Sequence, residues 1–156
     1  MCLVRKNTDT PCVATEDIVC YKVAKFRLSY EIGDDGEVTQ KGNFTGPWWT
    51  FDYSINEEYV EPNMEQGIAR EGDWMYVNDG FHTYTYLNLA ERVAHEKGYD
   101  FILECVIPKG SKFYYSYEGM ERCSDRIKVT AWKHSGELKG QRHCWHTWGV
   151  PTSYPK

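Results

Sequence analysis

An α+β fold, a single domain built on a strongly twisted antiparallel or mixed sheet with one main helix, is what this sequence predicts, and three stretches predict it. Leu89, Ala90, Val93 and Ala94 recur at spacings of three and four, which puts them on one face of a helix over residues 87–97. Phe101-Ile102-Leu103-Glu104-Cys105-Val106-Ile107 is a nearly continuous apolar run, the pattern of a strand buried on both faces. Residues 126–132 alternate, with Ile127, Val129 and Ala131 inward and Lys128 and Thr130 outward.

The remaining elements follow in chain order. Residues 1–15 are polar and carry Pro11, so they read as an N-terminal arm. Val19, Tyr21 and Val23 share one face at period two, and residues 26–32 continue extended. Gly33-Asp34-Asp35-Gly36 has the chemistry of a hairpin turn, because Gly and Asp tolerate the positive φ that a tight connection needs. Between Gly42 and Gly80 the pattern is loose, and long irregular connections in a small domain tend to carry function. Phe81 to Tyr84 is extended, Thr85 offers a helix N-cap, and Gly98 closes the helix after Lys97. Pro108-Lys109-Gly110 ends the central strand, and residues 112–117 form another. The organisation is an arm (1–15), one α+β domain (16–133) and a polar C-terminal tail (134–156).

The chain has 156 residues, enough for one domain that buries roughly 70% of its unfolded surface. Its net charge of −5 argues against a nucleic acid or an anionic membrane as partner, both of which call for a basic face. Neither a signal-peptide h-region nor a long apolar run is present, which predicts a cytoplasmic protein and six reduced cysteines rather than three bridges.

The order YKV, GFHTYT, helix, FILECVIPKGSKFY and CSDRIKV over residues 18–131 resembles the ADP-ribosyltransferase fold. In that family an early strand carries Arg or His, a later strand carries a Ser-Thr-Ser or Tyr motif, and a catalytic Glu introduces the last strand. Here Lys22 stands at the first place, Thr83-Tyr84-Thr85 at the second and Asp125 at the third. Asp is a methylene shorter than Glu, and catalysis tolerates little displacement. What the resemblance implies is therefore a non-catalytic or weakly catalytic protein that binds a nucleotide or an ADP-ribose-type ligand. The alternative it implies is an active transferase using NAD, with Asp125 and Tyr84 catalytic. The chain is also similar to small proteins of phages and gut bacteria that begin Met-Cys-Leu and carry an Ile-Val-Cys-Tyr-Lys strand. That similarity suggests a phage context and no activity; the binding reading then extends to a phage protein that sequesters a signalling nucleotide or inhibits a host factor, and a protein–protein module or virion component is the separate alternative that needs no pocket.

Each candidate residue has a plainer reading beside the functional one. Lys22, His82, Thr83, Tyr84 and Thr85 form a ligand-binding set, Lys22 offering charge to a phosphate and His82 both donating and accepting; a strand-end His satisfied by backbone is the alternative. Glu121 and Asp125 are a carboxylate pair or ordinary turn charges. Trp48 and Trp49, with Phe51, Tyr53, Trp74 and Tyr76, offer stacking surfaces or core; adjacent Trp48 and Trp49 point to opposite faces of a strand, so at least one covers something other than that core. His134, His143, Cys144 and His146 lack the spacing of a closed zinc site, and no metal is predicted. Cys2 as an N-terminal nucleophile is disfavoured, because Arg5-Lys6-Asn7-Thr8-Asp9 is too polar for a sheet core.

Overall fold

The computed structural model describes residues 3–6, 10–46, 52–135 and 145–147. Its elements in chain order are β1 (Leu3–Lys6), β2 (Cys12–Val13), β3 (Ile18–Ile32), β4 (Val38–Thr45), β5 (Asp52–Tyr53), β6 (Glu58–Val60) and β7 (Ile68–Glu71). There follow β8 (Trp74–Val77), β9 (Phe81–Tyr84), α1 (Leu87–Lys97), β10 (Phe101–Ile107), β11 (Lys112–Tyr115), β12 (Glu121–Ser124) and β13 (Arg126–His134).

The large sheet runs β2-β11-β12-β9-β3-β10-β13-β6, with β4 attached to β3 and β5 to β4. A second sheet, β1-β8-β7, is built from a hairpin over Gly72 and from a strand within the stretch read as an arm. Every pairing among the described residues is antiparallel.

Period-two alternation divides the side chains of the large sheet between two faces. One face gathers Cys20, Ala24, Phe26, Phe44, Phe81, Phe101, Leu103, Cys105, Phe113, Ile127, Val129 and Trp132 into the main core. Phe44, Phe101 and Trp132 meet edge-on or tilted there, with ring centroids 5.4–5.8 Å apart. The other face is covered twice. Helix α1 packs Ala90 and Ala94 on Val23, Tyr84 and Ile102, while the small sheet brings Leu3, Met75 and Val77, with Met64 from the turn before it, onto Tyr114 and Cys123.

A bulge at Glu104/Cys105 shifts the register of β10 against β13, so that Leu103 faces Trp132 while Cys105 faces Val129. Trp132 thereby joins the core of Ile127 and Val129, and Lys133 turns to the helix, where its Nζ lies 2.7 Å from Glu91 Oε1.

The expected α+β fold around one main helix is overturned. The structure is 53% strand, in several antiparallel sheets, and the helix has 11 residues. The reason is physical. The helix fully buries only two alanines, too little apolar surface to organise a domain, whereas the stretches without a clear hydrophobic period supply β1 and β4–β8. Those strands are held largely by backbone pairing and bury at most two of their described side chains each, β6 and β7 none, so their sequences do not alternate cleanly.

The helix ends where expected, with Gly98 at φ 75° and its N–H on Ala94 O. Its start differs. Tyr86 is the N-cap, without a side-chain cap bond, and Thr85 Oγ1 instead donates to Gly119 O at 3.0 Å.

Candidate functional site

The sequence-predicted residues on β9 are divided by the alternation of that strand. Thr83 and Phe81 face the main core, and Lys22 belongs with them: it is 7% exposed, its Nζ donates to His82 O at 2.7 Å, and it lies 5.5 Å from the centre of the Tyr53 ring. His82 and Tyr84 point to the opposite face. There His82 stands directly across from Cys123, and Tyr84 across from Glu121.

Asp125 is a corner of the fold. Its carboxylate accepts from Lys112 N at 3.0 Å, its N–H donates to Lys112 O, and its carbonyl accepts from Glu61 N. It stands four residues beyond Glu121, past the end of β12, so about 13 Å of extended backbone lies between the two. Glu121 has Glu118 as its acidic neighbour instead. Lys22, His82, Thr83, Tyr84, Thr85 and Asp125 are therefore not gathered around one cleft. Trp48 and Trp49 lie outside the described residues, as do Cys2, His143 and Cys144. His134 and His146 both flank the Trp132 ring, and His146 stacks on it at 4.2 Å.

His82 and Cys123 form a contact that the sequence did not single out. His82 Nε2 lies 3.3 Å from Asn78 O and 3.7 Å from Cys123 Sγ, and the thiol donates to Asp79 O at 3.1 Å. A Cys beside a His is the arrangement of a thiol nucleophile, which reacts as the thiolate. Here the electrostatics run the other way. Burial pushes the Cys123 thiol up to about 12, and burial followed by the nearby Lys22 ammonium draws the His82 imidazole down to about 4. Both groups are neutral at pH 7 and each is occupied by a backbone carbonyl, so the pair is a fastening between β9, β12 and the 78–79 turn.

Tyr84 and Glu121 lead to the open chemistry. They form part of the floor of a groove of about 490 Å³ between the outer side of α1, the small sheet and the 116–121 turn. Val4, Leu89 and Val93 give it an apolar side, and Trp74 and Tyr117 give it an aromatic rim. Those two rings meet edge to face at 5.6 Å and remain 40% and 64% exposed. Burial raises the Glu121 carboxyl above its usual range, with Lys97 pulling it back and Glu118 adding to the rise. Burial, then Glu121, pushes the Tyr84 phenol up to about 12, so it stays protonated and able to donate.

A second cleft, also about 490 Å³, adjoins the first through Ser116, Tyr117 and Glu118, and is lined by Arg5 and Lys6. Lys6 Nζ lies 6.0 Å from the Tyr117 ring centre, and Arg5 Nη1 donates to Tyr115 O at 2.8 Å. Sequence reasoning named Trp74 and Tyr84 but missed Tyr117, Glu118, Arg5 and Lys6. The first two sit on a turn and the others on an N-terminal strand, and only tertiary pairing brings them together.

The fold and this two-part groove define an antiparallel β protein with an aromatic-rimmed, acid-floored surface site beside a basic one. No family model, curated protein or solved structure matches this chain. Among the described residues no helix is long and apolar enough to cross a membrane, and no group of three or more His, Cys, Asp or Glu is placed to hold a metal ion.

Proposed function

We propose that this protein binds a nucleotide-type ligand without turning it over, and that the seat is the two-part groove rather than the strand residues Lys22 and Asp125. The observation that carries the reading is the junction of the two clefts at Ser116–Glu118. On one side Trp74 and Tyr117 offer flat faces to a base, and Glu121 and Tyr84 offer an acceptor and a donor to its edge or to ribose hydroxyls. On the other side Arg5 and Lys6 offer cations to phosphates. Two features support binding over chemistry: the thiol of Cys123 is held protonated, and Asp125 is committed to backbone bonds.

The test is a titration of the full chain with adenosine, ADP-ribose, NAD and cyclic nucleotides, following Trp fluorescence and the mass of ligand and protein. Saturable quenching is expected and is lost in Trp74→Leu, where the affinity for ADP-ribose measured by calorimetry falls about tenfold or more, as removal of one stacking face implies. Lys6→Glu is expected to weaken ADP-ribose while leaving adenosine unchanged. Quenching that survives Trp74→Leu, or no saturable change with any of the four, overturns the groove as a nucleotide seat. A labelled protein or a released nicotinamide would instead favour the transferase alternative.

A further inference from the structure

Beyond Ala24, β3 leaves the large sheet. Its pairing with β10 stops at that residue, β9 meets it at Tyr21, and β4 takes over from Lys25. From Lys25 to Ile32 one edge of β3 therefore has no strand beside it among the described residues. The outer edge of β4 is open in the same way from Val38 to Asn43, because β5 joins at Phe44 and Thr45. A two-stranded ribbon with both edges open is marginal in water and is a template for a further strand.

The faces of this ribbon differ. Phe26, Tyr30 and Ile32 alternate onto one face, with Phe44 across from Phe26 and Val38 across from Ile32. Phe26 and Phe44 at the root are in the main core, but Tyr30, Ile32 and Val38 are 66%, 76% and 61% exposed. The charges are also ordered along the ribbon. Lys25 and Arg27 stand near the root, and Glu31, Asp34, Asp35 and Glu37 cluster at the tip. Neither Arg27 nor Glu31 has an ion-pair partner among the described residues.

We propose that this arm pairs with the same arm of a second copy of the chain, β3 against β3, antiparallel and centred on Ser29. Opposed residues of an antiparallel pair share a face. That register sets Arg27 across from Glu31 of the second copy and Phe26 across from Ile32 of the second copy, and the two-fold axis repeats each pair. A parallel alignment would bring the two acidic tips together, so the charge order selects the second copy in antiparallel orientation. Exposed ion pairs contribute little each, and their part here is to fix register. Edge hydrogen bonds and partial burial of Tyr30 and Ile32 against their cross-strand neighbours supply the affinity. The proposal is independent of the groove.

Sedimentation equilibrium on the full chain tests it, with Arg27→Glu, Glu31→Arg and the double exchange beside the wild type. The wild type is expected to dimerise, and each single reversal to weaken the dimer by roughly tenfold or more, since two repulsive pairs replace two attractive ones. The double exchange restores it. Thermal melts, taken dilute enough that the wild type is monomeric and unchanged in all three because Arg27 and Glu31 are exposed, separate loss of pairing from loss of fold. A wild type that stays monomeric up to its solubility limit overturns the proposal, as does a dimer unmoved by Arg27→Glu or one that the double exchange fails to restore.

Discussion

His82 stores a pH dependence in a single imidazole. Its unfolded value is 6.5 and its folded value about 4, lowered first by burial and then by the Lys22 ammonium. As pH falls, the unfolded chain takes up the proton first. The stability that His82 contributes is thus complete above pH 6.5, declines between pH 6.5 and about 4, and is level below. A shift of that size corresponds to about 3 kcal/mol at full extent. Urea midpoints at pH 7 and pH 4.5 are expected to differ more in the wild type than in His82→Gln, which has no proton to gain; equal differences would remove His82 as the source. The residue scale was partly legible in the sequence. His82 stood out by type and by its place at a strand end, but its partner did not: Cys123 becomes its neighbour only through the β9–β12 register, which no local pattern in Glu121-Arg122-Cys123-Ser124 encodes.

Among the elements, β10 is the one whose sequence and position agree most fully. It pairs with β3 on one edge and β13 on the other, and Phe101, Ile102, Leu103, Cys105 and Ile107 are all fully buried. Leu103→Ala is expected to lower stability by about 2–5 kcal/mol in urea unfolding, through lost transfer energy and the cavity left among Phe44, Phe101 and Trp132. A loss below about 0.5 kcal/mol, the scale of surface changes, would take β10 out of the core. The helix Leu87–Lys97 was legible for the same reason as β10, a periodic set of apolar residues closed by Gly98. Strands β1 and β7 were not. Leu-Val-Arg-Lys and Ile-Ala-Arg-Glu each bury one or no side chain, and they become strands because β8 offers both its edges to them. The bulge in β10 was equally hidden, since it arises from a mismatch between two strands and belongs to neither alone.

At the scale of the whole molecule, the thiols report how tightly the cores close. Cys20 and Cys105 lie in the main core, Cys123 lies under the small sheet, and Cys12 is exposed on β2. Site-resolved alkylation of the native chain is expected to label Cys12 within minutes and the other three only at the rate of unfolding, because burial both hides them and raises their pKa values. Rapid native labelling of Cys123 would mean that the small sheet opens on its own. The arrangement of the groove was the least legible feature: its walls come from β1, β8, α1 and the 116–121 turn, and only Tyr84 belonged to the residues singled out as a binding set. Across this molecule runs β3, and Ile-Val-Cys-Tyr-Lys-Val-Ala-Lys-Phe-Arg-Leu-Ser-Tyr-Glu-Ile holds neither glycine nor proline. At about 3.3 Å per residue it is a rod of roughly 50 Å with no built-in hinge. Load applied at the arm tip therefore cannot be absorbed by a swivel at Ala24. It is carried along the backbone as shear into the rows of hydrogen bonds with β10, past Tyr21, whose cross-strand neighbour is Tyr84 at the groove floor.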